Sequence, residues 1–433
     1  MFSLFKSPIW LINLIVFLLP IYLLKIKVGI FSTNFLELLI LILLIMQLPK
    51  INFRKLGQYV KSNKLLSIGV GLLLTGTFVS TLVSDNLIAS LGILKSWFII
   101  PLIFALIIIN QDSEILHSAQ NDNKKAPSIL KSFAFSGITV SIISIFYIFF
   151  GMKTYDGRSS AFFLNPNYLA MYLAPAWLII LSLIFFIKNN REKILWITGL
   201  LVISIALFFT YSFGTWIGIM AGVTLISILG YKWDADIAPQ RRNFTIKKII
   251  PILSFLILLS FLIITVNSSK FQNTFISSRS SLNSRLMIWQ SSLHILKDHW
   301  VLGIGPGNFQ EYYLAYQKYF PPYLEWAVPQ PHNIFLAFWL QSGILGIAGF
   351  IIIIIWFYKK GLQEIMENKK NASQIYVRLI LISIMTYTLV HGLIDTTYWK
   401  NDLSMTFWIV IALMSIASHP VYFQKRKSLP CQK

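Results

Sequence analysis

The chain has 433 residues, of which 56% are hydrophobic and 12% are charged, and its formal net charge is +21. Soluble domains carry about 25% charged residues, so this composition excludes an ordinary soluble protein and indicates an integral membrane protein. The basic residues occur in short clusters between long apolar runs. That pattern is typical of loops beside membrane helices and argues against a nucleic-acid-binding surface. The single cysteine, Cys431, excludes a disulfide framework and a cysteine-based metal site.

The apolar runs predict an all-α integral membrane protein of about twelve transmembrane helices, because each run has the length that crosses a bilayer as a helix. A single polytopic domain would then take up residues 1–433. The predicted spans are residues 8–25, 30–48, 65–83, 87–109, 128–150, 167–187, 194–211, 214–231, 249–266, 332–357, 379–396 and 404–419. Only Ser212 and Phe213 separate the two members of the pair at 194–231.

The lysines and arginines predict the orientation of these spans. Most of the 37 basic residues fall in cytoplasmic segments if the N-terminus is placed in the cytoplasm, as the excess of positive charge in cytoplasmic loops requires. Both termini are then cytoplasmic, and the longest connecting segment, 267–331, is an outward-facing loop. Its first half, at about 278–298, is predicted to form an amphipathic helix.

A series of motifs runs through this loop and into the next span. Its members are, in chain order, Arg285, Trp289, Gly303-Ile304-Gly305, Phe309, His332-Asn333, and Gly343 with Gly346. Arg285 and Trp289 lie four residues apart and therefore share one face of the predicted helix. In this order the set resembles the O-antigen ligase and O-antigen polymerase superfamily of bacterial membrane glycosyltransferases.

The resemblance implies a metal-independent, inverting glycosyltransferase that needs no cofactor. Its donor would be a glycan on an undecaprenyl-diphosphate carrier, and its acceptor would be a hydroxyl of a glycolipid or another glycan. The enzyme would lie in the bilayer of the bacterial inner membrane, with its active site on the outer face. Independently of the resemblance, no cluster of His, Cys and carboxylate residues has the spacing typical of a metal site.

His332 and Arg285 are the predicted catalytic residues. Histidine accepts a proton near neutral pH, so His332 is the candidate base for the acceptor hydroxyl. A guanidinium group binds phosphate oxygens in pairs and stays charged, so Arg285 is the candidate ligand of the diphosphate. From position alone, a helix cap or interface anchor also explains His332, and a solvated arginine on a helix also explains Arg285.

Four more residues are predicted to bind substrate: Arg158, Lys95, Asn333 and Asn167. Arg158 precedes Asn165-Pro166-Asn167 as in family members, although these asparagines equally suit a helix cap. Lys95 lies inside a predicted span, where a charge faces a cavity or partner or extends to the headgroups. Asn333 is expected to orient the loop or a sugar hydroxyl.

One position departs from the family. Many members have Ser-Arg-Gly at the start of a span, and the arginine is associated with the diphosphate, whereas this chain has Ser212-Phe213-Gly214. Either Arg158 or Lys95 supplies the missing charge, or the donor differs. In another predicted span His391 and Asp395 lie four residues apart, which predicts that they pair on one helix face, most simply as a structural hydrogen bond.

The sequence leaves other functions open. A polysaccharide polymerase of the same superfamily would use another lipid-linked repeat as acceptor, and a related enzyme would attach glycans to protein. A lipid-linked oligosaccharide flippase belongs to a different class and predicts paired repeats with broken helices, which the sequence does not contain. A scaffold for envelope assembly predicts that substitution of His332 and Arg285 has no effect.

Overall fold

The computed structural model of the chain describes residues 8–29, 31–111, 127–187, 189–237, 281–321, 328–367 and 372–417. These residues are mostly helical, which confirms the predicted all-α class. The described strands form one short antiparallel hairpin, in which β1 (Lys25–Val28) pairs with β2 (Phe31–Asn34).

The helices follow one another along the chain with short turns between several of them. They are α1 (Ile9–Phe17), α2 (Phe35–Gln47), α3 (Phe53–Ser62), α4 (Lys64–Leu82), α5 (Leu87–Ile93), α6 (Ile100–Asn110), α7 (Ser128–Phe149), α8 (Pro166–Phe186), α9 (Asn190–Thr210), α10 (Phe213–Ile237), α11 (Ser281–His299), α12 (Phe309–Tyr316), α13 (Ile334–Glu367), α14 (Ala372–Gly392) and α15 (Asn401–Ala417). A π-helical turn, Leu94–Ile99, joins α5 to α6.

The described residues contain eight helical segments that are long and apolar enough to cross a membrane, and the bent pair α2–α3 is a ninth candidate. The predicted span at 249–266 lies outside the described residues, so the full count of about twelve stays a prediction. The closely spaced pair at 194–231 is confirmed as two helices, α9 and α10. Tyr211 separates them by adopting a left-handed backbone conformation, with a φ of 48°.

The first two predicted spans differ from the observed elements. The run at 8–25 forms only the short α1 and a 3-10 turn, because Pro20 has no amide hydrogen with which to continue the helix. The run at 30–48 begins as strand β2 and becomes helical at Phe35. Asn34 caps α2 there by accepting a hydrogen bond from the Glu37 amide at 3.0 Å.

Connecting segments meet at two opposite ends of the helix bundle. At one end, called the upper end, hydrogen bonds join segments 151–165, 211–212, 331–333 and 393–400 to one another or to neighbouring helix ends. The opposite, lower end contains α3, the last residue of α6 and the last turn of α15, which are also joined by hydrogen bonds.

Helices α4 and α13 pack with their backbones in close contact. A Cβ atom added to Gly76 would lie 2.3 Å from the Gly346 nitrogen, and one added to Gly349 would lie 2.4 Å from the Leu73 nitrogen. Small residues permit such an approach between membrane helices. Gly346 of the sequence motif is therefore a helix-packing residue.

Helix α13 is broken at Gly343, which has a φ of 64° and a ψ of −172°. The segment after α11 fills this break. The Ile344 amide donates to the Val301 carbonyl at 2.9 Å, and the Ile304 amide donates to the Leu340 carbonyl at 2.7 Å. Glycine is required at 343 because it adopts these angles without a steric penalty. The two glycine motifs of the sequence thus form one unit that fixes the first part of α13.

Helix α15 lies in the centre of the bundle, with every residue from Asp402 to Ala417 buried. Just before it, Tyr398 and Trp399 pack against Phe338 of α13 and against Phe98, with ring centroids 4.9 to 5.6 Å apart. This aromatic layer holds the segment between α14 and α15 in a fixed position at the upper end.

Candidate active site

The start of α13 is built by Asn333, which caps the helix. Its Oδ1 accepts hydrogen bonds from the Phe335 and Leu336 amides at 2.9 and 3.0 Å. Its Nδ2 donates to the Leu393 carbonyl at 2.9 Å. The preceding residue, His332, has a φ of 48°, which is uncommon for a residue other than glycine and persists only where the surroundings hold it. Asn333 therefore fixes the backbone that carries the His332 side chain.

His332 is paired with a buried carboxylate. Its Nδ1 lies 3.0 Å from Oδ1 of Asp395, and the two side chains are 27% and 3% exposed. An ionised carboxylate only accepts hydrogen bonds, so Nδ1 carries the shared proton. The other ring nitrogen, Nε2, then holds the lone pair that accepts a proton when the histidine is neutral.

Asn167 links this pair to Arg158. Its Nδ2 donates to Oδ2 of Asp395 at 3.0 Å, and its Oδ1 accepts from Nη2 of Arg158 at 2.6 Å. Asn165, and not Asn167, caps α8, because its Oδ1 accepts from the Asn167 amide. Asn167 in the first turn of α8 is therefore free of the capping role and completes a hydrogen-bonded chain from Arg158 to His332.

The electrostatics of Asp395 follow from this arrangement. Burial acts to raise the pKa of the carboxyl, but the charge and hydrogen bond of His332 lower it, and His391 and Arg285 act in the same direction. The net effect holds the pKa of Asp395 well below its usual range. Asp395 is therefore ionised at neutral pH and stabilises positive charge on His332.

Arg158 is fixed by backbone as well as by Asn167. Its Nε donates to the Thr210 carbonyl at 2.6 Å, at the end of α9. Burial lowers the pKa of its guanidinium, Asp156 opposes that effect, and the charge of Arg285 adds to it. An arginine pKa begins so high that the group stays charged. Two guanidinium groups thus lie close enough to repel each other, as they do in a site that receives an anion.

Arg285 and Trp289 project from the same face of α11, as their spacing predicts. The Arg285 Nε donates to the Ile394 carbonyl at 2.9 Å, one residue before Asp395. The Trp289 indole donates to the His332 carbonyl at 3.3 Å. Helix α11, predicted at about 278–298, is confirmed at Ser281–His299, and both motif residues reach the segments that carry His332 and Asp395.

Comparison with known families supplies a match over the centre of the chain. Residues 198–351 match the family model described as O-Antigen ligase. This match supports the resemblance of the chain to the O-antigen ligase superfamily. The matched region takes up rather more than a third of the chain and contains Arg285 and His332. A comparison with curated proteins gives no match.

The O-antigen ligase family indicates a multi-pass membrane enzyme of the glycosyltransferase type. Within this ligase-like chain, the structure assembles five residues into what we call the polar cluster: Arg158, Asn167, Arg285, His332 and Asp395. Arg158, Asn167 and Asp395 lie outside the matched region. The cluster is thus completed by helices on both sides of the segment that carries the family match.

Phe213, at the position where many ligases have arginine, is the first residue of α10. Arg158 bonds the carbonyl of Thr210, three residues earlier, so its guanidinium lies at the same junction between α9 and α10. Lys95 is held elsewhere. Its Nζ lies 2.7 Å from the buried Glu37 carboxylate and donates to the Ser32 carbonyl at 2.9 Å, which ties the β-hairpin to the π-helical turn.

Sequence reasoning missed the importance of Asp395 because it assigned the wrong partner. The predicted pair of His391 and Asp395 is joined through the backbone, because the Asp395 amide donates to the His391 carbonyl at 3.0 Å, while α14 ends at Gly392 and the Asp395 side chain turns to other partners. His391 Nδ1 instead lies 2.9 Å from the Tyr387 hydroxyl. The partner of Asp395, His332, is 63 residues distant in sequence, so local spacing carried no signal for it.

The described residues include no group of three or more His, Cys, Asp or Glu side chains arranged to hold a metal ion. The positive charge in the cluster is supplied by two arginines.

Proposed function

We propose that this protein transfers a glycan from an undecaprenyl-diphosphate carrier to an acceptor hydroxyl. The observation that carries the proposal is the hydrogen-bonded chain from Arg158 through Asn167 and Asp395 to His332, with Arg285 beside it. It combines a proton acceptor held by a buried carboxylate with two fixed cations. Those are the groups that transfer from a diphosphate donor requires.

His332 acts as the general base. Its Nε2 takes the proton of the acceptor hydroxyl as that oxygen attacks the anomeric carbon of the donor. Asp395 keeps the imidazole in the required tautomer and stabilises the imidazolium that forms, as an orienting carboxylate does in other histidine bases. The proton then rests on His332 until it is released to water.

Arg285 and Arg158 receive the leaving group. The bond between the anomeric carbon and the phosphate oxygen breaks, and the electron pair leaves with the diphosphate, whose growing charge the guanidinium groups stabilise. Attack on the face opposite the leaving diphosphate inverts the anomeric configuration. The two arginines supply the charge that a metal ion supplies in other transferases, so the proposed reaction is metal-independent.

The remaining predicted site residues receive supporting roles in this proposal. Asn167 links Asp395 to Arg158 through the hydrogen bonds of its side-chain amide. Asn333 positions His332 by capping α13. Arg158 compensates for Phe213, because its guanidinium lies at the junction before α10. Lys95 is engaged by Glu37 and is assigned to the stability of the hairpin rather than to the donor.

The test is glycan transfer by purified protein with a lipid-diphosphate-linked oligosaccharide and a panel of acceptors. We expect His332→Ala and Arg285→Ala each to lower the transfer rate by at least about 100-fold, as loss of a general base or of a transition-state cation does. His294→Ala is the matched control, since His294 is an exposed histidine on α11 with its ring against Phe320.

Unchanged transfer in both site variants would overturn the site assignment. A wild-type protein that moves the lipid carrier across vesicles without transferring glycan would replace the proposal with a flippase. The acceptor that receives the glycan distinguishes a ligase from a polymerase. A polymerase requires another lipid-linked repeat, whereas a ligase uses a different glycolipid or glycan.

A further inference from the structure

Helix α3 lies across the lower end of the bundle. It is bent by 101° from α2, which is one of the helices that run along the bundle. Three contacts hold it there. Lys55 Nζ donates to the carbonyl of Asn110 at the end of α6, at 2.9 Å, and the Asn52 amide donates to Oδ1 of the same residue at 3.2 Å. The Tyr59 hydroxyl donates to Ser415 near the end of α15.

The exposed surface of α3 is divided into two strips. Phe53 and Val60 are seven residues apart, so they lie in line along the helix, and they are 73% and 48% exposed. Arg54 and Lys61 are each one residue further on, so they form a second exposed line beside the first. Tyr59, which faces the bundle, is only 7% exposed.

An apolar strip beside a basic strip is the arrangement typical of a helix that lies at a membrane surface. A helix that lies in the interface inserts its apolar side among the acyl chains and keeps its basic side at the level of the headgroups. Lys50 and Lys64, at the two ends of the segment, are also exposed and add positive charge. Insertion of Phe53 and Val60 among the acyl chains would remove their apolar side chains from water.

We propose that α3 is an interfacial helix that binds anionic lipid headgroups of the leaflet at the lower end of the bundle. Charge complementarity selects the occupant, because four exposed lysines and arginines, Lys50, Arg54, Lys61 and Lys64, are present on this segment and its exposed residues include no acidic side chain. Phe53 and Val60 anchor the helix, and Arg54 and Lys61 bind the lipid phosphates. This surface is separate from the polar cluster, which lies at the upper end.

The test compares purified full-length protein in the presence of phosphatidylglycerol or phosphatidylcholine, with two readouts. One is the number of lipid molecules retained per chain, measured by native mass spectrometry, and the other is the rise in melting temperature on adding lipid. Each basic residue close to an anionic surface contributes about fivefold to binding. The double variant Arg54→Gln and Lys61→Gln is therefore expected to weaken phosphatidylglycerol binding about 25-fold while its melting temperature in phosphatidylcholine is unchanged.

Two further variants test whether the loss of phosphatidylglycerol binding is specific to the basic residues of α3. The double variant Lys153→Gln and Lys297→Gln removes equal charge from exposed positions outside α3 and is expected to retain the response to phosphatidylglycerol. Arg54→Lys with Lys61→Arg conserves the charge and is expected to retain it too, which separates loss of lipid binding from misfolding. Full retention of phosphatidylglycerol by the Arg54→Gln and Lys61→Gln variant would overturn the proposal, as would an equal loss in the Lys153 and Lys297 control.

Discussion

Asp395 is the residue on which the polar cluster converges. One carboxylate oxygen accepts from His332 and from the Thr396 amide, and the other accepts from Asn167. Because the pKa of this carboxyl is held well below its usual range, it carries a full negative charge in contact with the proposed base. We therefore expect the rate of glycan transfer to depend on the negative charge of Asp395 as well as on the shape of its side chain.

Asp395→Asn tests that expectation, since the amide preserves the size of the side chain and removes the charge. We expect kcat to fall by about 100-fold or more with little change in KM for the donor, because the imidazolium formed in the transition state loses its counter-charge. The measurement is steady-state transfer by purified protein across a range of pH.

Asp395→Glu is the companion variant, because it keeps the charge and displaces it by one methylene group. A partial recovery of kcat relative to Asp395→Asn is expected. If Asp395→Asn transferred glycan at the wild-type rate, the carboxylate would be a structural anchor for the turn after α14 and not the orienting group of a base.

At the scale of single elements, the contact between α4 and α13 determines where the site is assembled. Gly76 meets the backbone of Gly346, while the break at Gly343 receives the segment 301–304. The first part of α13, which begins directly after His332, is therefore held by backbone contacts on two sides. A shift of α13 against α4 would move His332 relative to Asp395.

Gly76→Ala is expected to destabilise the folded protein by about 1–3 kcal/mol, because the new Cβ would lie 2.3 Å from a backbone nitrogen that cannot move independently of its helix. The midpoint of thermal unfolding in detergent measures the change. Gly71→Ala on the same helix is the control, since a Cβ there meets nothing within 4 Å. Equal midpoints for the two variants would show that the close contact is not tight in solution.

At the scale of the whole molecule, the two ends of the bundle differ in what they carry. The upper end holds the polar cluster, and the lower end holds α3 with its basic strip and the basic start of α9, where Arg191 and Lys193 are exposed. Because cytoplasmic loops carry an excess of positive charge, we predict that the lower end is cytoplasmic. The polar cluster would then open on the outer face, where lipid-linked donors are used.

This orientation is tested by cysteine labelling in a Cys431→Ser background, which leaves no other thiol in the chain. Lys153→Cys is expected to react with a membrane-impermeant maleimide in intact cells, and Lys193→Cys only after the membrane is permeabilised. The Cys431→Ser chain without an added cysteine should stay unlabelled. The reverse pattern would place the polar cluster in the cytoplasm and remove the basis for a lipid-diphosphate donor on the outer face.

The sequence by itself determined the class of the protein, the position of most spans, and the residues of the family motif. These depend on composition and on spacing within one segment, as with the four-residue interval that puts Arg285 and Trp289 on one face of α11. The boundaries of the spans at 8–25 and 30–48 were less well predicted, because Pro20 and the β-hairpin interrupt apolar runs of nearly constant hydropathy.

Only the tertiary structure decided which of the candidate residues meet. His332, Asn167 and Asp395 come from three segments of the chain, and their hydrogen bonds depend on how α8, α13 and α14 are packed at the upper end. The same packing gives Lys95 a partner in Glu37, which removes it from the proposed site. The type and local spacing of a residue show which chemistry the residue is able to perform. Its partner across the bundle determines whether the residue takes that role. That partner is set by long-range contacts that no local pattern contains.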